Sequence, residues 1–147
     1  MMVLPGALSG CAPRTDTVRV VANSGALTIS NAETTALLLY EQEQLQAVAQ
    51  VKQEGGTKDD ATRAVAVIRE KWTPHWELFR RAEHAHSALA TAVEAYETGR
   101  AIVLADGRRV PTLADIASLS AAATKLYEEL AALFNKKRAP IPTERTK

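Results

Sequence analysis

The chain has 147 residues, enough for a single domain with a real core. Its hydrophobic share is 46%, its charged share 24% and its net charge +1, so no overall field recruits nucleic acid and the composition is that of an ordinary folded domain. A single cysteine excludes an internal disulfide and a CxxC redox or zinc site, and no apolar run approaches the roughly 20 residues of a transmembrane helix.

The chain begins MMVLPGALSGCAP. Residues 1–10 are apolar and uncharged, and no Lys or Arg precedes Arg14. A secretory signal carries a basic segment and then an apolar core of about 7–15 residues. Residues 1–14 therefore read as a truncated signal and tether that an upstream start would complete. Leu8-Ser9-Gly10-Cys11 resembles the lipobox of bacterial lipoproteins: an aliphatic residue, two small residues and then the cysteine. The resemblance implies cleavage before Cys11, lipid attachment at Cys11, and a membrane partner reached through that lipid. Ala12 in place of Asp implies sorting to the periplasmic face of the outer membrane. The alternative is an unprocessed amino terminus that matches by chance, in a cytoplasmic or virion protein.

From Ala32 to Glu54 the pattern is helical, with Ala36, Leu39, Tyr40, Ala47 and Val51 near one face. Upstream, Val18 to Ile29 reads in two ways. A strand pair around Asn23-Ser24-Gly25 is one. The other is an extension of the helix, because Val18, Val21, Gly25, Ile29, Ala32, Ala36 and Leu39 keep steps of three and four. One helix from about residue 15 is the preferred reading, with Ala22, Gly25 and Ala26 allowing close approach of a neighbour.

Gly55-Gly56 breaks this segment. Thr57 or Asp59 caps the next, with Asp59 and Asp60 favourable beside the helix dipole. Ala61, Val65, Ile68, Trp72, Trp76, Phe79, Ala82, His86, Leu89, Val93 and Tyr96 then form one stripe, which ends at Gly99. Pro74 predicts a kink near 70–74, or a break into two shorter helices.

Residues 101–110 read as a small hairpin turning at Asp106-Gly107, or as an irregular loop. Thr112 and Asp115 form a capping-box-like pair. Leu113, Ile116, Leu119, Ala123, Leu126, Tyr127, Leu130, Leu133 and Phe134 make the apolar face of a third helix, closed by Asn135 and Lys136-Lys137-Arg138. Pro140 and Pro142 make residues 139–147 a disordered tail.

The expected fold is all-α: an elongated antiparallel three-helix bundle over 15–138, with two long helices and a shorter third. The cysteine near the start, the two long helices, Tyr40-Glu41 and Trp72-Thr73-Pro74 resemble the small alanine-rich helical lipoproteins of bacteria and their prophages. That resemblance carries no established chemistry.

Candidate sites are few. Trp72, His75 and Trp76 form an aromatic group that suits either a partner surface or core packing beside Pro74. Glu83 and His86 share a helix face, as carboxylate-bridged metal bundles require, but no second Glu-x-x-His exists in the chain. His84 points about 160° away from His86. No metal or cofactor is expected. No phosphate-binding loop, nucleophile–base pair or reactive-cysteine setting is present in the sequence. Arg108-Arg109 and the Lys136–Arg138 cluster suit either solvent or an anionic surface. The reading is a non-enzymatic envelope lipoprotein with a structural or binding role, of phage or prophage origin by resemblance. The alternative is a soluble, self-associating helical assembly protein.

Overall fold

A computed structural model describes residues 15–135. Cys11, the 139–147 tail and the Lys136–Arg138 cluster lie outside the described residues. Three helices pack against one another: α1 (Thr15–Gln53), α2 (Lys58–Thr98) and α3 (Leu113–Asn135). A two-stranded antiparallel hairpin, β1 (Ile102–Leu104) and β2 (Gly107–Arg109), joins α2 to α3. The all-α bundle with two long helices and a shorter third is therefore the fold.

α1 is one helix of 39 residues, so the strand-pair alternative at Val18–Ile29 is not realised. Burial decided this. Val18, Gly25, Ile29, Ala32 and Ala36 all fall on the side that faces α2 and α3. Strand alternation would have put Gly25 and Ile29 on one face and Val18, Ala32 and Ala36 on the other. Of the three small residues expected to allow close approach, Gly25 is buried and Ala22 half-buried, while Ala26 is exposed.

The turn from α1 to α2 is made by Gly55, at φ 72, and Gly56. Gly56 N–H donates to Val51 O at 2.8 Å. Thr57 then caps α2 in a full capping box: Asp60 N–H donates to Thr57 Oγ1, and Thr57 N–H donates to Asp60 Oδ2 at 2.7 Å. These bonds, with Arg63 alongside, lower the Asp60 pKa to about 2.

α2 runs 41 residues without interruption, with Pro74 inside it. The helix survives because its inner face is anchored on both sides of the proline, by Trp72 and by Leu78 and Phe79. Pro74 lacks the N–H that the Glu70 carbonyl would accept, and both residues are exposed, so water can serve that carbonyl. The series read from sequence omitted Leu78, Ala92 and Ala95, which are also buried. Gly99, at φ 66, closes the helix in the left-handed conformation.

The hairpin forms, but its turn is shifted by one residue from the expected Asp106-Gly107. Leu104 pairs with Gly107, which leaves Ala105 and Asp106 as the loop. Neither has positive φ; Gly107 alone does, at 125°. Arg109 fixes the connection. Its Nε donates to both Asp106 oxygens at 3.1 Å, and Nη1 and Nη2 donate to the two Asp115 oxygens at 2.5 and 2.8 Å. Asp115 also accepts from Thr112 N–H at 2.7 Å, as the capping box of α3 requires. The guanidinium and the cap together hold the Asp115 carboxyl well below the usual range, and the two carboxylates push Arg109 up.

α3 runs antiparallel to α2. Phe134 near its end meets Trp72, His75 and Phe79, and Tyr127 meets His86. At 23 residues it is about 35 Å long, against roughly 60 Å for each long helix. Among the described residues, it covers α2 only from Trp72 onward. Beyond that, α1 and α2 continue as a two-helix hairpin to the Gly55-Gly56 turn. Arg19–Glu97 ties α1 to α2 at the other end, and Lys71–Glu43, at 2.9 Å, ties them near the aromatic group.

Candidate functional site

The aromatic group is built by all three helices. α2 supplies Trp72, His75, Trp76 and Phe79, which steps of three and four hold on one side of the helix. α1 supplies Tyr40 and Glu43. α3 supplies Phe134, whose position one residue before the helix end brings it over the group.

Trp72 is at the centre and only 1% exposed. Its Nε1–H donates to Glu43 Oε2 at 3.0 Å, and Lys71 Nζ donates to the same oxygen at 2.9 Å. The buried indole thus has a polar partner, as a buried Trp requires. Phe134, 2% exposed, stacks on Trp72 with centroids 6.3 Å apart and lies 5.3 Å from the Phe79 ring. Tyr40 packs edge-on against both Trp72 and Trp76, at 5.6 and 5.5 Å. His75 meets Trp72 at 5.0 Å and Phe134 at 5.9 Å. His75 and Trp76 are half-buried.

The fold therefore brings the three sequence-selected residues together but uses them unequally. Trp72 is core, and surface left to a partner is on His75 and Trp76. The group fills the level at which three helices become two, where a two-helix section alone offers too few neighbours to bury a large ring.

A second constellation was not legible in the sequence. Tyr127 OH and His86 Nδ1 lie 2.8 Å apart, half inside the bundle. The Tyr127 ring rests on Gly25 of α1. A Cβ at residue 25 would lie 2.1 Å from the ring, so only glycine admits the tyrosine there. Burial pushes the Tyr127 hydroxyl pKa up. Glycine in a helix interior and tyrosine on an apolar face were separate signals; their match depends on the register between α1 and α3. Glu83, three residues before His86, is exposed. Among the described residues, no three His, Cys, Asp or Glu side chains gather as metal ligands would.

Shallow grooves flank these features. One of about 360 Å³ lies between α1 and α3, lined by Val21, Ser24, Gly25, Thr28, Thr124 and Tyr127 among others. One of about 320 Å³ lies on the two-helix section, between Val48 and the Ala61–Arg69 stretch. Another, about 420 Å³, lies between the β-hairpin and the exposed side of α2 near His84. Of the arginine pair in the hairpin, Arg109 is held by Asp106 and Asp115, and Arg108 is exposed.

Comparison with protein-family models, with curated proteins and with solved structures finds no match to the chain.

Proposed function

We propose that the chain is a non-enzymatic envelope lipoprotein, held on the periplasmic face of the outer membrane by a lipid on Cys11, with a structural or binding role. The observation that carries this reading is the short distance between the lipobox-like Leu8–Cys11 and the start of α1 at Thr15. Only residues 12–14 separate the cysteine from a rigid rod. A lipid there would hold the three-helix end of the bundle at the membrane surface. The Gly55-Gly56 turn stands at the far end of α1, about 58 Å away. The two-helix section, with its groove beside Val48 and Val65, would then be the part offered to the periplasm. Among the described residues, no helix is long and apolar enough to cross a membrane. The resemblance to small alanine-rich helical lipoproteins, carried by the cysteine near the start, the two long helices, Tyr40-Glu41 and Trp72-Thr73-Pro74, is what supports a phage or prophage origin.

The test is expression from the genuine start codon, followed by fractionation and labelling with a radioactive fatty acid. The wild type is expected in the outer-membrane fraction with label, and Cys11→Ser in the soluble fraction without it. An unlabelled, soluble wild type overturns the reading. A soluble assembly protein, as in a virion or secretion apparatus, is the second reading. The row of exposed apolar side chains on α1 favours it.

A further inference from the structure

α1 is apolar on two opposite sides. Its inner side holds Val18, Gly25, Ile29, Ala32 and Ala36. Its outer side carries Val20, Leu27, Leu38 and Leu45, which are 67, 66, 64 and 67% exposed. At 100° per residue these four fall within about 20° of one line, roughly 130–190° from the inner series. From Val20 to Leu45 the line covers 26 residues, or about 37 Å. Between the leucines it carries Asn31 and Thr34, with Ser24 and Ala49 close to it.

We propose that this outer line joins two copies of the chain, α1 against α1 in antiparallel orientation about a two-fold axis. Three observations carry the choice of occupant and direction. First, the line is self-complementary. Its intervals of seven, eleven and seven residues read the same in both directions. Reversal therefore sets Val20 against the partner's Leu45 and Leu27 against the partner's Leu38. Asn31 then faces the partner's Thr34 across the axis, an amide and a hydroxyl that can hydrogen-bond and fix register. Second, the charges near the line lie on one flank only: Asp16, Glu41 and Lys52. The other flank holds Ser24, Asn31, Gln42 and Ala49. Antiparallel helices bring like flanks together, so Asp16 comes within about one turn of the partner's Lys52. Parallel helices would set the charged flank against the uncharged one and gain no ion pair. Third, the line is long and bare: four large apolar side chains, each about two-thirds exposed, recur over about 37 Å, a surface that a second copy of the same line would cover along its whole length.

This inference does not depend on the lipid. The test uses the full chain with Cys11→Ser, which removes both the native thiol and any acylation. Sedimentation is expected to show a dimer, and Leu27→Lys/Leu38→Lys is expected to weaken it by roughly 100-fold or more with unchanged helical circular dichroism. In the same background, a chain with Leu27→Cys is mixed with a chain carrying Leu38→Cys and oxidised. The mixed disulfide should exceed either homotypic one by about tenfold, an estimate from one tenfold step in affinity. The cysteine variants are conservative in size, so they decide the matter even if the lysine variant fails to fold. A strict monomer, a dimer untouched by the lysines, or homotypic disulfides in excess overturns the proposal. So does a monomer that floats with phosphatidylethanolamine–phosphatidylglycerol vesicles and loses that flotation in the lysine variant, which would give the line to a lipid surface.

Discussion

The two ends of the bundle are built from the same two helices and differ in one respect, the presence of α3. Where α3 packs, between Phe134 and Leu113, small residues of α1 such as Ala32 and Ala36 are fully inside, and Ile116, Leu130 and Leu89 reach zero exposure. Past Phe134, the facing residues Val48, Ala61, Val65 and Ile68 remain half-exposed although their helical spacing is just as regular. Periodicity sets which way a side chain points. Burial also needs a third wall, and the bundle has one at only one end.

Substitutions on either side of the aromatic group should separate the two ends. The largest effect is expected from Phe134→Ala, which opens a cavity under Trp72 and Phe79. Chemical denaturation should show a loss of about 3–5 kcal/mol. The matching truncation in the two-helix section, Val65→Ala, should cost no more than about 1 kcal/mol, because much of that side chain already meets water. Equal losses would mean that the two-helix section has a covered core of its own.

Gly25→Ala comes next. The new methyl must displace the Tyr127 ring, and overpacking of this kind costs about 1–3 kcal/mol. Combining it with Tyr127→Leu should cost less than the two single losses together, and strict additivity would contradict the contact between Gly25 and Tyr127.

Native-state hydrogen exchange sharpens the comparison without mutation. Amides of Val48 and Val65 should exchange through a local opening, while those of Ala36 and Leu89 should need global unfolding. Uniform protection would show one cooperative unit.

The smallest effect is on pH. Asp60 caps the two-helix end and Asp115 the three-helix end, and both have folded pKa values below their unfolded ones. Each contributes stability that is present above about pH 4 and is lost as the pH falls toward the folded value, about 2 for Asp60. Thermal melts should therefore change little from neutrality down to about pH 5 and decline below it. Asp60→Asn should remove part of that decline, and a melt that is flat to about pH 2 would contradict the capping assignment.

Much of this architecture was legible in the sequence because its signals are local. Thr112 with Asp115, and Gly99, each announce a helix end through neighbours a few residues away; at the start of α2 the sequence offered Thr57 or Asp59, and the fold uses Thr57, boxed with Asp60. The inner line of α1 was legible through its three-and-four steps. What escaped was relational. Gly25 and Tyr127 identify each other only once α3 is laid on α1. The hairpin turn falls on Ala105-Asp106, with Leu104 paired to Gly107, and Asp106 is tied through Arg109 to Asp115 of α3, a contact the local Asp-Gly signal does not contain. The outer line of α1 was hidden by the inner one: Leu37, Leu38 and Leu39 point in three directions about 100° apart, so no single period accounts for all of them. Of the aromatic trio, spacing could place Trp72, His75 and Trp76 together, but the cover over Trp72 comes from Tyr40 and Glu43 of α1 and Phe134 of α3, which the spacing on α2 does not reveal.

The length of α1 has a further consequence for posture. In a pair joined antiparallel along this helix, the two Thr15 residues stand at opposite extremities, about 50 Å apart. With a lipid on Cys11, four residues before each Thr15, such a pair would rest lengthwise on a bilayer like a beam on two footings. A lone copy, moored at one extremity, would be free to stand upright. If Cys11 carries a lipid, dimerisation would change how far the molecule rises from a membrane, and so which neighbours it can reach.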